Sequence, residues 1–267
     1  MFTGFSQGAV DFLTDIRFNN NNQFFEANRE RYEKLVKAPL RALCEEVAPL
    51  VQTIDPRLDT RPGRVMSRIR RDTRFSKDKS PFRDHVWMSW RYPNESRSEG
   101  FDLFWGFGPD WYGWGCGMYA TDKPVMDALR LHIRREPDEV RALLGAPGIR
   151  GRYAVYGESY KKLAVPDDVP DDLRDLYVRK GFGIENIPGQ ADFSEVYSRA
   201  AAERLASELA AMAPLQQFMR RIRAQAEHAQ HEAVREREQR EREAATRAEA
   251  ARRAASVTGR SAAEFEF

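Results

Sequence analysis

The stretch FDLFWGFGPDWYGWGCGMY, residues 101–119, decides the fold. Phe101, Leu103, Trp105 and Phe107 occupy alternate positions, Pro109 and Asp110 supply a turn, and Trp111, Gly113, Gly115, Gly117 and Tyr119 then alternate with Trp114, Cys116 and Met118. Successive side chains on a strand point to opposite faces, so this pattern predicts two strands joined antiparallel by a short connection. The same period runs upstream. Val86, Met88, Trp90 and Tyr92 alternate with His85, Trp87, Ser89 and Arg91, and Val65, Ser67 and Ile69 alternate with Met66, Arg68 and Arg70. Short links between such segments make sequence neighbours into sheet neighbours, which predicts an antiparallel meander of four or more strands.

The glycines at 113, 115 and 117 share one face of the last strand. Glycine inside a strand costs stability, yet a row of it leaves backbone that something can approach closely. Two occupants fit: a helix or aromatic ring of the protein itself, or a ligand lying on Gly115 and Gly117.

Outward from the sheet the period lengthens. Phe12, Leu13 and Ile16, then Phe24, Phe25, Tyr32, Leu35 and Val36, then Leu40, Leu43, Val47 and Leu50 recur at helical spacing, predicting three helices over 6–52, the third with Pro39 in its first turn. The four Asn at 19–22 read as cap and turn between the first two. Downstream, Asp122 is placed to cap a helix whose buried stripe is Val125, Ala128, Leu129, His132 and Ile133, and a short helix over about 137–144 closes at Gly145. Residues 151–165 read as extended with a turn at Gly157. Leu173 and Leu176 fall on a short helix, and a final core helix runs over about 192–212. The expected class is α+β, with N-terminal and C-terminal helices packed on the sheet.

Beyond Pro214 the composition changes. HEAVREREQREREAATRAEAARRAA, residues 231–255, has almost no large apolar residue, while Glu236 to Arg240, Glu238 to Arg242 and Glu243 to Arg247 are i,i+4 pairs in the favourable order. The chain therefore divides into one α+β domain, 1–218, and a charged tail, 219–267, as a long solvated helix or a disordered segment. Arg220, Arg221 and Arg223 at its start suit an acidic partner.

At 42% hydrophobic over 267 residues the chain can fill a core, and no apolar run is long enough to span a bilayer. MFTGFSQGAVDFLTD lacks a charged start followed by an apolar stretch, so no membrane association is expected and the expected location is cytoplasmic. Cys44 and Cys116 stand alone, which argues against a disulfide framework. The phosphate-loop, dinucleotide, zinc-protease and serine-hydrolase motifs are absent. His85 has no second ligand at metal spacing and His132 lies on a core stripe, so neither a metal nor a cofactor is expected.

Charge then singles out RIRRDTRFSKDKSPFRD, 68–84, with seven cations and three carboxylates. From Met219 onward there are eleven Arg and nine Glu, which leaves the rest of the chain with 32 charges of each sign. The excess at 68–84 is therefore local. That disfavours a general nucleic-acid coat and leaves room for a focused anion site. Arg68, Arg71, Arg74, Lys77 and Lys79 are the candidate ligands to a phosphate or carboxylate, with Gly115 and Gly117 nearby. Asp72 and Asp78 either hold those cations rigid or transfer protons. Two alternatives stand beside this reading: a structural ion-pair network, and a non-catalytic protein-binding or single-stranded nucleic-acid-binding module.

In RIRRDTRFSKDKSPFR the chain resembles a bacterial family of conserved hypothetical proteins, domain of unknown function 2461. That family's pattern is similar to RxxRDxRFxxDKxPY, which falls on Arg68, Arg71, Asp72, Arg74, Phe75, Asp78, Lys79 and Pro81. Phe82 stands where Tyr is usual, and Phe24-Phe25 where Trp-Phe is typical. The asparagine run, the Tyr32 helix, GWGCGMY and the region of Pro166 and Lys180 follow in the family's order. The resemblance covers about 4–220. It implies an α+β fold and a functional loop, and no reaction.

Overall fold

Alternation in 101–119 becomes β2 (Asp102–Phe107) and β3 (Tyr112–Gly117), paired antiparallel with β1 (Val86–Trp90) so that Trp90 faces Leu103 and Leu103 faces Cys116. The computed structural model describes residues 1–96, 100–187 and 189–263, with side chains through 249. On one face Val86, Met88, Trp90, Leu103, Trp105, Phe107, Trp114 and Cys116 are all buried. Beyond β3 the meander stops. β5 (Gly183–Asn186) inserts between β3 and β4 (Tyr153–Tyr156), giving a five-stranded antiparallel sheet of order β1-β2-β3-β5-β4.

The first expected strand, at 64–70, is not a regular one. Pro62–Val65 is a short helix, and the extended residues after it pair only through bridges from Met66 to Met88 and from Arg70 to Phe82. Val65, Ser67 and Ile69 are nevertheless buried, so the alternation correctly marks an inward row. The ladder breaks because Ser67 takes the Trp87 N–H on its own Oγ, at 3.0 Å, while its N–H donates to the Trp87 carbonyl at 2.8 Å. A side-chain oxygen replaces the backbone acceptor that a strand needs.

Helices cover the inner face. α1 (Gln7–Phe18) buries Val10, Phe12, Leu13 and Ile16, and Asn21 caps α2 (Asn22–Ala27) by accepting from the Phe24 N–H at 2.9 Å. The short α3 (Arg29–Arg31) and a π-helical stretch, Tyr32–Lys37, lead into α4 (Ala38–Ile54), whose Leu40, Leu43, Cys44, Val47 and Val51 are buried. Pro62–Val65 is α5. Asp122 caps α6 (Lys123–Arg135) through the Val125 N–H, and α7 (Pro137–Gly145) follows. α8 is Arg174–Tyr177.

The last helix starts later than its apolar pattern suggests. Asp192 caps a 3-10 turn, Phe193–Tyr197, and an extended Ser198 interrupts the chain before α9 (Ala200–Ala263), which continues through Pro214. Phe5 lies 4.5 Å from Phe107 and 6.1 Å from Trp105, Arg204 of α9 lies 5.9 Å from the Trp114 ring, and Gln217 donates to the Ile54 carbonyl at 2.7 Å. These contacts place the core between sheet and helices.

Two compact units result, Met1–Arg223 and Ala224–Phe267. Residues 227–249 of the second are exposed, with Glu236 to Arg240 paired at 3.3 Å and Arg237 to Glu241 at 2.9 Å. Among the described residues no helix is long and apolar enough to cross a membrane.

Candidate functional site

The sheet face turned away from the helices carries a different residue set. Trp87 and Ser89 of β1 lie beside Gly106 and Phe104 of β2, these beside Gly113 and Gly115 of β3, and Asp102 lies beside Gly117, Gly183 and Tyr156 in turn. The glycine row is not bare. A Cβ at Gly115 would fall 2.5 Å from the Phe104 ring and one at Gly183 would fall 2.2 Å from the Tyr156 ring, while Trp111 lies over Gly106 and the Asn186 amide over Gly113. Side chains of the protein, mostly aromatic rings, therefore cover the stripe, the first of the two occupants the sequence admits. Gly115 is beneath Phe104, and Gly117, which lines the cleft above the sheet, is itself covered by the Tyr156 phenol.

The opposite wall is the basic loop, and asparagines fasten it. Asn20 pairs with the Phe82 backbone twice, accepting its N–H and donating to its carbonyl, both at 2.9 Å, and Asn22 accepts from Arg70 at 2.9 Å. Phe82 stacks on Phe25 at 4.3 Å and is buried, so the ring at this position serves packing.

Within the loop the charges alternate as pairs. Arg71 binds Asp78, Arg74 binds Asp72 at 2.7 Å, and Lys79 donates to the Thr73 carbonyl at 2.9 Å. The Arg74 hydrogen bonds lower the Asp72 carboxyl to about 2, and Arg71 with Ser80 holds Asp78 well below the usual carboxylate range. Both acids thus stay ionised and orient cations.

Two adjoining clefts, of about 820 and 1020 Å³, open here and share Arg71, Asp72, Arg83, Ser89 and Arg91. Seven arginines line the first: Arg64, Arg68, Arg70, Arg71, Arg74, Arg83 and Arg91. Its carboxylates are already paired, Asp72 with Arg74 of the same cleft, and Asp59 and Glu95 with Arg61 and Arg220 outside it. Among the described residues neither Arg64 nor Arg68 forms an ion pair with a carboxylate, although the Arg64 charge helps to lower Asp59, and both arginines are exposed. Of the sequence-predicted set, Arg68, Arg71, Asp72 and Arg74 meet in this cleft. Asp78 and Gly117 line the second, and Lys77, Lys79 and Gly115 line neither.

The second cleft has the aromatic sheet face as its floor and contains two groups that composition did not single out. Asp102 is 9% exposed, its Oδ2 accepts from Ser89 at 3.2 Å, and its Oδ1 has no hydrogen-bond partner among the described residues. Burial pushes its carboxyl up to about 7, against the opposing pull of Arg91 and Arg220. At the other end, His85 Nδ1 lies 2.8 Å from Asp84, which also binds Arg17 at 2.6 Å, and Arg17 in turn holds Asp110 at 2.9 Å. Burial pushes Asp84 up, but the bonds from His85 and Arg17 outweigh it and keep the carboxyl below its ordinary value. An ionised Asp84 accepts a hydrogen bond from the Nδ1–H and so orients the imidazole, which stacks near Trp87 at 5.4 Å.

For His85 the signal is the period of two that locates β1: Arg83, His85, Trp87, Ser89 and Arg91 alternate along one segment and all line the second cleft. Cys44 and Cys116 are buried, with burial pushing the Cys44 thiol up to about 12, which removes thiolate chemistry at neutral pH. Among the described residues no group of three or more His, Cys, Asp or Glu is placed to hold a metal.

The acidic partners of the arginines after Phe218 lie within the chain. Arg220 binds Glu95, Arg221 binds Glu139, and Arg223 meets Asp122 at 3.2 Å.

Residues 8–218 match a family described as conserved hypothetical protein (DUF2461). No curated protein matches the chain.

Proposed function

Since the chain belongs to the conserved hypothetical protein family DUF2461, whose description carries no reaction, we propose from the cleft itself that the protein binds a small anion, phosphate or carboxylate. The observation that supports this most is the seven-arginine lining, with Arg64 and Arg68 in no ion pair among the described residues. Like charges gathered on one concave surface repel one another, and a bound dianion relieves that cost while accepting charge-assisted hydrogen bonds. Arg71 and Arg74, already paired, brace the rim. Arg64 and Arg68 supply the open wall, Arg83 donates to the Arg68 and Arg70 carbonyls beside them, Arg91 lies 3.9 Å from Asp102, and Lys77 and Lys79 stand outside the cleft. The loop's internal pairs favour bracing for part of the basic motif, so recognition and bracing divide the motif between them.

Calorimetric titration with inorganic phosphate and pyrophosphate at low salt tests the proposal. Each charge-assisted hydrogen bond contributes about 1.5–3 kcal/mol. Combined Arg64→Met and Arg68→Met substitution is therefore expected to weaken binding by about a hundredfold or more, and Arg237→Met in the tail leaves it unchanged. Unaltered affinity in the double variant moves the site elsewhere, and no heat with either anion removes the function.

A further inference from the structure

The arginine cleft is only half of a continuous depression. Its shared wall, Arg71, Asp72, Arg83, Ser89 and Arg91, opens onto a floor of unusual make-up. Gly106 and Gly117 line that floor, Gly115 and Gly183 lie beneath it, and the rings of Trp111, Phe104 and Tyr156 occupy the space that side chains at these glycines would have taken. Trp111 is 40% exposed, and Phe104 and Tyr156 are half-buried, so these rings retain surface toward the cleft. A lone phosphate uses none of this surface. An apolar ligand uses the floor and leaves the arginines unmatched. A molecule that carries both a phosphate and a planar ring matches the two halves together.

Polar groups on the floor narrow the class further. Asp102 is one strand position from Phe104 on the same face, and its Oδ1 lacks a hydrogen-bond partner among the described residues. Glu185 is exposed at the cleft edge, and Tyr156 lies opposite Gly183. Acceptors at the edge of a stacking platform suit a ring with N–H groups on its periphery, since a buried oxygen left without a donor is costly. A purely hydrocarbon ring leaves it so.

Resting on the anion-binding reading, we propose that the ligand is a nucleoside phosphate, with its phosphate on Arg64 and Arg68, its base on the Phe104 and Trp111 rings, and a base N–H donated to Asp102. Stacking on aromatic side chains is indifferent to which base is present, so discrimination between bases falls to Asp102 and its neighbours. The arginines gather at one end of the depression instead of tracking along a strand, which suits a single nucleotide over an extended nucleic-acid chain.

Titration of the full chain with four probes, inorganic phosphate, phenyl phosphate, AMP and adenosine, followed by tryptophan fluorescence and calorimetry, tests the proposal. AMP is expected to bind at least tenfold more tightly than inorganic phosphate and to quench fluorescence, with phenyl phosphate between them and adenosine weakest. Trp111→Leu, at an exposed position whose loss does not open the core, is expected to weaken AMP about fivefold or more while leaving inorganic phosphate unchanged. Equal affinity for AMP and inorganic phosphate overturns the ring subsite and leaves the anion site standing. Binding of neither overturns both. An AMP preference that survives both Trp111→Leu and Phe104→Leu places the base elsewhere and also overturns the proposal.

Discussion

Arg220 of α9 lays its guanidinium 4.0 Å from the centre of the Tyr92 ring while pairing with Glu95, and its side chain is 4% exposed. Asp102 Oδ1 is 3.8 Å from the same guanidinium. The last core helix thus reaches behind the cleft and holds its far wall through one buried cation. Arg220→Ala leaves Glu95 without its closest partner in a largely dehydrated place, and urea unfolding is expected to record a loss of about 3–5 kcal/mol. Arg220→Lys is not expected to restore it, because an ammonium cannot stack on Tyr92 and bind the carboxylate in the same fork. A loss under about 1 kcal/mol for Arg220→Ala contradicts this account.

Asp102 gives the cleft a pH dependence of the unusual sign. Its folded pKa, about 7, lies above the ordinary 3.8, so between those values the folded protein binds more protons than the unfolded one. Stability from this group is present at pH 4 and is lost as the pH rises through 7. Asp102→Asn removes the dependence. The difference in unfolding free energy between Asp102→Asn and the parent protein is expected to shift in favour of the variant by roughly 2–4 kcal/mol from pH 4 to pH 8. A difference that stays flat over that range shows a carboxyl with an ordinary pKa.

The asparagine run makes a separate prediction. Asn20→Ala strips two hydrogen bonds from the Phe82 backbone and leaves its polar groups poorly matched, at a cost of about 1–3 kcal/mol. Limited proteolysis should then cut within 71–81 faster than in the parent protein, whereas Asn19→Ala, whose amide bonds only the Asp15 carbonyl within its own helix, leaves the loop's cleavage rate unchanged. Equal protection in both variants means the loop holds itself.

Glycine substitutions separate packing from propensity. At Gly115 a methyl group would fall 2.2 Å from the Ile184 carbonyl oxygen and 2.5 Å from the Phe104 ring, so Gly115→Ala is expected to destabilise by about 1–3 kcal/mol. At Gly145, in the last turn of α7, nothing lies within 4 Å of the added carbon, and Gly145→Ala is expected to stabilise by about 0.4–1 kcal/mol. Thermal melts of the two variants should move in opposite directions.

Much of the architecture was legible because burial imposes a period. The rows Phe12 to Ile16, Val86 to Trp90 and Phe101 to Phe107 identify their elements and inward faces without any knowledge of partners. Segments failed where one polar atom decided the outcome: Ser67 breaks a ladder that its neighbours' alternation allows, and Ser198 breaks a helix. The place of β5 was hidden for another reason, since nothing local to GIEN tells which strand edge it joins. For the site, charge alternation marked the loop but could not distinguish Arg74, which Asp72 holds, from Arg68, which no carboxylate of the described residues holds. That difference depends on how the loop folds back. Asp102 was concealed by its setting, one acid in an aromatic strand, where only the sheet's second face reveals a use for it.

The position of β5 also bears on how the chain assembles during synthesis. β4 pairs with β5 alone, and β3 completes its outer hydrogen bonds only with β5. A ribosome that has released residues up to 182 has therefore made a three-stranded ribbon with an open, glycine-rich margin and a fourth strand that has nowhere to dock. Such a margin invites pairing between nascent chains. Truncation before Gly183 should accordingly give aggregates, while truncation within the exposed helix after residue 227 should give a well-behaved protein.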